Sequence, residues 1–417
     1  MTAAMRYLDF DLTLTREGDQ YMAEVRNSPA GPSQKVPLQW PFGIESHEIL
    51  MLRLENAILK GRGYRSGGPL SPEEKILQEF GSDVFRTVFR DSGSVATKFA
   101  NSIDVIKPPD GLRLVLRVDP PELAILPWEY MFDRSTRDDN GNYLCLRNAS
   151  PLVRFLNAAR PLAALHLNGP LRILGMIANP ATTEWRRLDT EDERHRIEEA
   201  LKDIPKTALH LEWVRGGSPD DLFDMMQRDS WHIFHFIGHG GADRYVEENG
   251  KVRSEGFVVM QDGLGGAVKV SASHLGMMLQ NDGALRLAVL NCCDSGRGSG
   301  GFSSVGAALV NSDVPIAVAM QYAITDGAAA RFAGSFYTSL VAGQCVERAL
   351  TAARIYMRLQ SNIEWGIPVL FTRTGSCVLF EIETRGAGDA EIRPAPADAT
   401  VPAYRTQARD ELRRLFT

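Results

Sequence analysis

Two short stretches carry the residue types of nucleophilic catalysis. The first, HFIGHGG, places His239 between Gly238 and Gly240, and the second, LNCCDSG, holds Cys292 and Cys293. A cysteine attacks as its thiolate, and a neighbouring imidazole lowers the thiol pKa and later protonates the leaving amine. Enough chain separates the two for a hairpin and a crossover helix, so both can stand on neighbouring strands of one sheet. Gly238 and Gly240 would let the backbone approach a ligand closely and leave the imidazole exposed at a strand end. Successive strand residues point to opposite faces, so only one of the two sulfurs can meet the histidine.

Each residue also has a plainer reading. A histidine at a strand end is more often a satisfied structural group, and free cysteine is among the most buried residue types. The flanking glycines and the loop Asp294-Ser295-Gly296-Arg297-Gly298 favour chemistry. His235 and His239 lie four apart, which on a strand is far for a shared ion, and no third ligand is placed. His232 and His235 therefore read as core or supporting groups, and neither a metal nor another cofactor is expected.

These residues need a rigid frame, and the second half of the chain supplies its pattern. LRILGMIANP (171–180), ALHLEWVRGG (208–217), HIFHFIGHGG, LRLAVLNCCDSG (285–296), VPIAVAMQ and IPVLFTR read as buried strands. Between them run EDERHRIEEALKD (191–203), with Ile197, Ala200 and Leu201 on one side, and the small-residue helix FSSVGAALVNS. Ser218-Pro219-Asp220-Asp221 gives a helix start with cap, first-turn proline and first-turn acids. Two further helices bring Phe332, Phe336 and Leu340, then Val346, Leu350 and Ala353, onto one side each. A polar loop is expected after Gly241, then EGFVVMQD as part of a hairpin. Near-continuous apolar strands alternating with helices predict a largely parallel sheet covered on both faces, with ligands bound at the strands' carboxyl ends.

The first 160 residues are less regular. MRYLDFDLTLTREGD alternates Tyr7, Asp9, Asp11 and Thr13 against Leu8, Phe10, Leu12 and Leu14, a half-buried strand. The stretch 386–402, rich in Ala, Pro and Asp, reads as a linker, and AYRTQARDELRRLFT beyond it begins an amphipathic helix. Three parts are expected: 1–165, an N-terminal α/β region; 166–385, the domain carrying His239 and Cys293; and 386–417, a linker leading to an adaptor segment.

Composition narrows the function. The 417 residues are 44% hydrophobic and carry a net charge of −6, with no basic stripe of the kind that tracks nucleic acid. Five cysteines without a CxxC pair suit free thiols in a reducing compartment. No leader peptide or long apolar span is visible, so a cytoplasmic protein without a membrane segment is expected.

HFIGHGG and LNCCDSG, together with PPELAILPWEYMFD, PLVRF and VAMQYAITDGAAARFAGSFY, resemble the CHAT domain family of bacterial caspase-like cysteine peptidases. That family is related to caspases, metacaspases and separase, and the resemblance covers most of residues 110–375. It implies a caspase-like, mostly parallel α/β sheet with helices on both faces, preceded by an N-terminal region that is a degenerate pseudo-caspase half. His239 would be the general base and Cys293 the nucleophile, with Cys292 standing where the family often has alanine. Backbone N–H groups of Gly240 and Cys293 would form the oxyanion hole. Asn291, Asp294, Gln321 and Asp326 would contact substrate, and AMQYAITD would offer a strand edge to an extended peptide.

The implied function is a cysteine endopeptidase acting on a protein substrate. A protein partner recruited through the C-terminal adaptor segment would activate it, in a bacterial conflict or death pathway. The alternatives are a catalytically silent CHAT-type scaffold that binds peptides and a hydrolase of small amides. In metacaspases, which prefer a basic residue on the acyl side of the cut (P1), an acidic residue precedes the cysteine pair. Asn291 occupies that position here, so a neutral P1 residue is expected unless Asp262, Asp294 or Asp326 turns inward.

Overall fold

The computed structural model describes residues 6–42, 47–62, 70–135, 143–156, 162–180, 182–185, 187–188, 190–246, 252–262, 266–280, 283–293, 301–359, 363–375 and 378–382. Asp294 and the segment 386–417 lie outside the described residues.

In chain order the elements begin with β1 (Tyr7–Glu17), β2 (Gln20–Asn27), β3 (Val36–Leu38), α1 (His47–Lys60), α2 (Pro72–Phe89), α3 (Ser94–Val105), β4 (Gly111–Val118), α4 (Pro121–Ala124) and β5 (Leu152–Phe155). There follow β6 (Leu165–Leu167), β7 (Leu171–Ala178), α5 (Thr190–Leu201), β8 (Leu209–Trp213), α6 (Pro219–Arg228), β9 (Ile233–Val246), β10 (Val252–Gln261), β11 (Ala267–Ser271) and α7 (Ala272–Leu279). The chain continues with β12 (Leu287–Cys293), α8 (Gly301–Asn311), β13 (Ile316–Met320), α9 (Asp326–Val341), α10 (Val346–Arg358), β14 (Pro368–Thr372) and β15 (Phe380–Ile382).

One sheet of 13 strands runs through the molecule in the order β11-β10-β9-β12-β13-β14-β5-β4-β1-β2-β3. β7 pairs with β9, and β8 with β7. Most pairings are parallel; β13 with β14 and the hairpins of β9–β10–β11 and β1–β2–β3 are antiparallel. β5 pairs with both β4 and β14, so strands from either side of residue 165 share the sheet. The sheet carries helices on both faces, a caspase-like α/β architecture.

Strand alternation sorts the core into two layers. Ile173, Ile233, Ile237, Leu287, Val289, Ile316 and Val318 pack with α5, α9 and α10, through residues such as Ile197, Phe332, Phe336 and Leu350. Their neighbours Leu174, Met176, Phe234, Phe236, Ala288, Leu290 and Cys292 face α6, α7 and α8. Small residues set the approach of α8: a Cβ on Gly256 would come within 2.7 Å of the Val305 backbone. The helix start foreseen at Ser218 is present as a capping box with Asp221, and Ile197 and Leu201 of α5 are buried while Ala200 is exposed.

β9 departs from expectation. It does not stop at His239 but runs on to Val246, where a polar loop was expected, with β10 pairing along 239–246. The cause is a change of neighbour: β7 accompanies β9 only as far as Gly238, and β10 then takes the same edge.

Candidate functional site

The register of β12 against β9 assembles the central pair. Leu287 stands beside Ile233, and the parallel pairing continues residue by residue until Asn291 stands beside Ile237 and Cys293 beside His239. Cys293 is the last residue of its strand, and His239 is where parallel pairing ends. Two positions drawn from distant stretches thus meet at the carboxyl end of the sheet, where parallel α/β folds bind their ligands. Cys292 faces the opposite layer and is buried in the core that α6, α7 and α8 cover.

His239 is only 1% exposed. The indole of Trp185 lies against it, ring centroids 5.4 Å apart, and packs in turn on Phe257 at 6.1 Å. Gly238 has a local explanation: a Cβ there would come within 2.6 Å of the Ala178 carbonyl oxygen on β7. Strand packing, and not only ligand approach, asks for that glycine.

Asn291 is buried on β12 and donates its side-chain N–H to the carboxyl group of Glu193 on α5. Glu193 is itself buried, and burial pushes its pKa up to about 8, with the nearby charge of Asp326 acting in the same direction. Asp326 opens α9 at its N-terminus, is 41% exposed, and lies 3.7 Å from Arg196 across from it on α5. Asn291, Glu193 and Asp326 therefore form one group on the layer of the sheet that also holds His239.

Gln321 is placed differently. It is buried, donates to Glu129 at 3.1 Å and to the Gly366 carbonyl at 2.9 Å, and accepts from Arg154 at 3.3 Å. Arg154 pairs with Glu129 at 2.6 Å and donates to the carbonyls of Ala124 and Leu126. These contacts commit Gln321 to a buried network that ties β13 to the segment after β4. Of the stretch AMQYAITD, Ala319 is paired on both sides, with Leu290 of β12 and Val369 of β14, whereas among the described strand pairings Met320 pairs with Pro368 of β14 alone.

His235 is buried with its Nδ1 2.6 Å from the Tyr337 hydroxyl, and burial lowers its pKa to about 4. His232 accepts at Nδ1 from the Arg172 backbone N–H at 3.0 Å. Both hold structural positions. Among the described residues no group of three His, Cys, Asp or Glu side chains is arranged to hold a metal ion, and no helix is long and apolar enough to cross a membrane.

Glu193 and Trp185 were not singled out by sequence reasoning. A signal for Glu193 existed: it lies four residues before Ile197, on the apolar stripe of α5, where a carboxylate facing solvent would not be. Nothing in the sequence pointed to Trp185, because its contact with His239 is made by a loop.

A parallel α/β sheet with a histidine and a cysteine abreast on neighbouring strands is the layout of a caspase-like protein. The CHAT domain model matches residues 94–402, most of the chain, and the protein belongs to that family. A search among curated proteins found no match.

Proposed function

We propose that this protein is a cysteine endopeptidase whose dyad is Cys293 and His239. The observation that carries the reading is the β12–β9 register, because residues abreast on adjacent strands belong to the same face of a sheet. His239 takes the thiol proton, and the thiolate of Cys293 attacks the peptide carbonyl. The imidazolium then protonates the departing amine, leaving a thioester that water hydrolyses. Backbone N–H groups of Gly240 and Cys293 would stabilise the oxyanion. Asn291 and Asp326 are retained as substrate contacts and Asp294 is proposed with them, whereas Gln321 acts through the frame.

The burial of His239 beneath Trp185 supports a latent form that a protein partner opens. The same observation favours a second reading, a silent scaffold that binds peptides without cutting them. In the leading reading the protein works in the cytoplasm, in a bacterial conflict or death pathway. Residues 386–417 recruit the partner, and 1–165 act as a pseudo-protease-like half that extends the sheet of the catalytic part 166–385.

An electrophilic thiol probe on the full chain tests the dyad. Wild type should be labelled at Cys293, and labelling should collapse in His239→Ala. Equal labelling of both proteins, or modification of Cys292 instead, would sink it. Comparing newly formed protein termini produced by wild type and Cys293→Ala then separates the peptidase from the scaffold.

A further inference from the structure

We propose that Glu193, Asn291 and Asp326 form the subsite for the P1 side chain and that this subsite takes a cation, the guanidinium of arginine or the ammonium of lysine. The inference rests on the peptidase reading of Cys293 and His239 and names the substrate class of that site.

Placement comes first. Asn291 lies two residues before Cys293 on β12, and alternate strand residues share a face at a spacing of about 7 Å. A substrate whose carbonyl sits at Cys293 can lay a long side chain back along that face and bring its head group to Asn291. There it meets the carboxyl of Glu193, held by the Asn291 amide N–H. Asp326, at the more exposed end of the group, marks where the chain enters.

The chemistry of the unmet groups decides the ligand. Asn291 is 3% exposed, and its side-chain oxygen finds no hydrogen-bond partner among the described residues. A buried acceptor without a donor is costly. Beside it stand one buried carboxyl group and a second, half-exposed one. The Asn291 oxygen asks for an N–H donor, and the Glu193 carboxyl, once ionised, asks for positive charge beside Asp326, whose only ion pair among the described residues is with the half-exposed Arg196 at 3.7 Å. An apolar P1 residue would leave them unsatisfied, and an acidic one would be repelled. A guanidinium offers five donors in a planar fork that suits an amide oxygen and a carboxylate side by side. Asn291 alone implied a neutral P1 residue; its partner, from a helix 98 residues earlier, reverses that expectation.

The charged groups acting on Glu193 are Asp326 on α9, which raises its pKa, and Arg196 on its own helix, which lowers it. With its pKa near 8, Glu193 is largely protonated at neutral pH until a cation arrives. Binding a cation favours the ionised form, so preference for a basic P1 residue should strengthen as pH rises toward and past 8.

The test uses the full-length protein and acetylated tetrapeptide coumarin amides identical except for Arg, Lys, Leu or Asp at P1. The Arg-to-Leu ratio of kcat/KM should be about 100 or more, the order expected when a buried acceptor is left without its donor, and should rise between pH 6 and 8.5. Glu193→Gln should cut that ratio by tenfold or more and flatten its pH dependence, while Glu193→Asp should restore part of it. In parallel, calorimetry with Cys293→Ala measures binding of the uncleavable Arg and Leu peptides, with and without Glu193→Gln. Cleavage that prefers Leu or Asp, or a ratio indifferent to Glu193, overturns the subsite and leaves the peptidase reading standing. Arg-selective binding that depends on Glu193, without turnover in wild type, upholds the subsite and overturns the peptidase. Absence of any Glu193-dependent preference in both assays rejects the proposal.

Discussion

Two regions of the long sheet bury polar groups in opposite ways. Around β1, β4 and β5 each buried or half-buried arginine has its carboxylate: Arg113 bonds Asp9 at 2.6 Å and Glu347 at 2.8 Å, Arg117 bonds Asp11 at 2.7 Å, and Arg154 bonds Glu129. Around the ends of β9 and β12 the buried groups are Asn291 with an unmet oxygen, Glu193 with a raised pKa, and His239 sealed under an indole. Charge pairs that satisfy one another fix a structure. Groups left short of partners or pushed from their ordinary pKa cost stability, and such costs concentrate where a ligand is to be met.

If that contrast is right, the two regions should fail in different assays. Cys293→Ala should lower peptide turnover by about 10⁴-fold or more, as loss of a nucleophile does, while its thermal unfolding stays close to wild type. A variant that melts well below wild type would place Cys293 among the structural groups.

Arg154→Met should do the reverse. It strands Glu129 and removes a donor from Gln321, a break in a buried ion pair that costs about 3–5 kcal/mol, read as a shift in denaturant midpoint at unchanged slope. A loss under about 1 kcal/mol would show that the network is not structural.

Glu193→Gln sharpens the comparison through pH. The folded-state pKa lies above the unfolded one, so the folded chain holds a proton that the unfolded chain releases above about 4.5. Stability from this group is present below pH 4.5 and drains away as pH rises to about 8. The glutamine variant should therefore gain on wild type across that window, by roughly 2–4 kcal/mol at pH 8.5. His235 works with the opposite sign: its pKa of about 4 lies below the unfolded value of 6.5, so its contribution is lost as pH falls through 6.5 toward 4. That acid-side loss should survive in Glu193→Gln. An unchanged gap between the two proteins from pH 5 to 8.5 would contradict the raised pKa.

Cys292→Ala should have the smallest effect. Its side chain is buried in the core of the far layer, and removing one buried atom costs about 1 kcal/mol. Turnover should stay within a few-fold of wild type. Loss of activity here, with Cys293→Ala active, would mean that the wrong cysteine faces His239.

Much of this frame was legible in the residues themselves. Apolar runs marked β7, β9, β12, β13 and β14, the Ser218-Pro219-Asp220-Asp221 sequence fixed the start of α6, and the two glycine-flanked stretches drew attention to His239 and Cys293, because these signals are local. The extension of β9 past His239 was missed, since a strand continues or ends according to which neighbour lies along its edge. Asp9 and Asp11 read as the wet side of a half-buried strand. In the fold that side meets Arg113 and Arg117 of a strand 104 and 106 residues away.

The sequence by itself determined most of the order of elements from residue 171 onward, a sheet covered on both faces, and the residue types able to act as base and nucleophile, because periodicity and turn chemistry operate over a few residues. Only the tertiary structure decided that position 293 stands beside 239, that Gln321 belongs to Glu129 and Arg154, and that Asn291 answers to Glu193. Those outcomes depend on strand register and on how a helix settles on the sheet. Both are set by the packing of the whole core, which no short stretch of chain encodes.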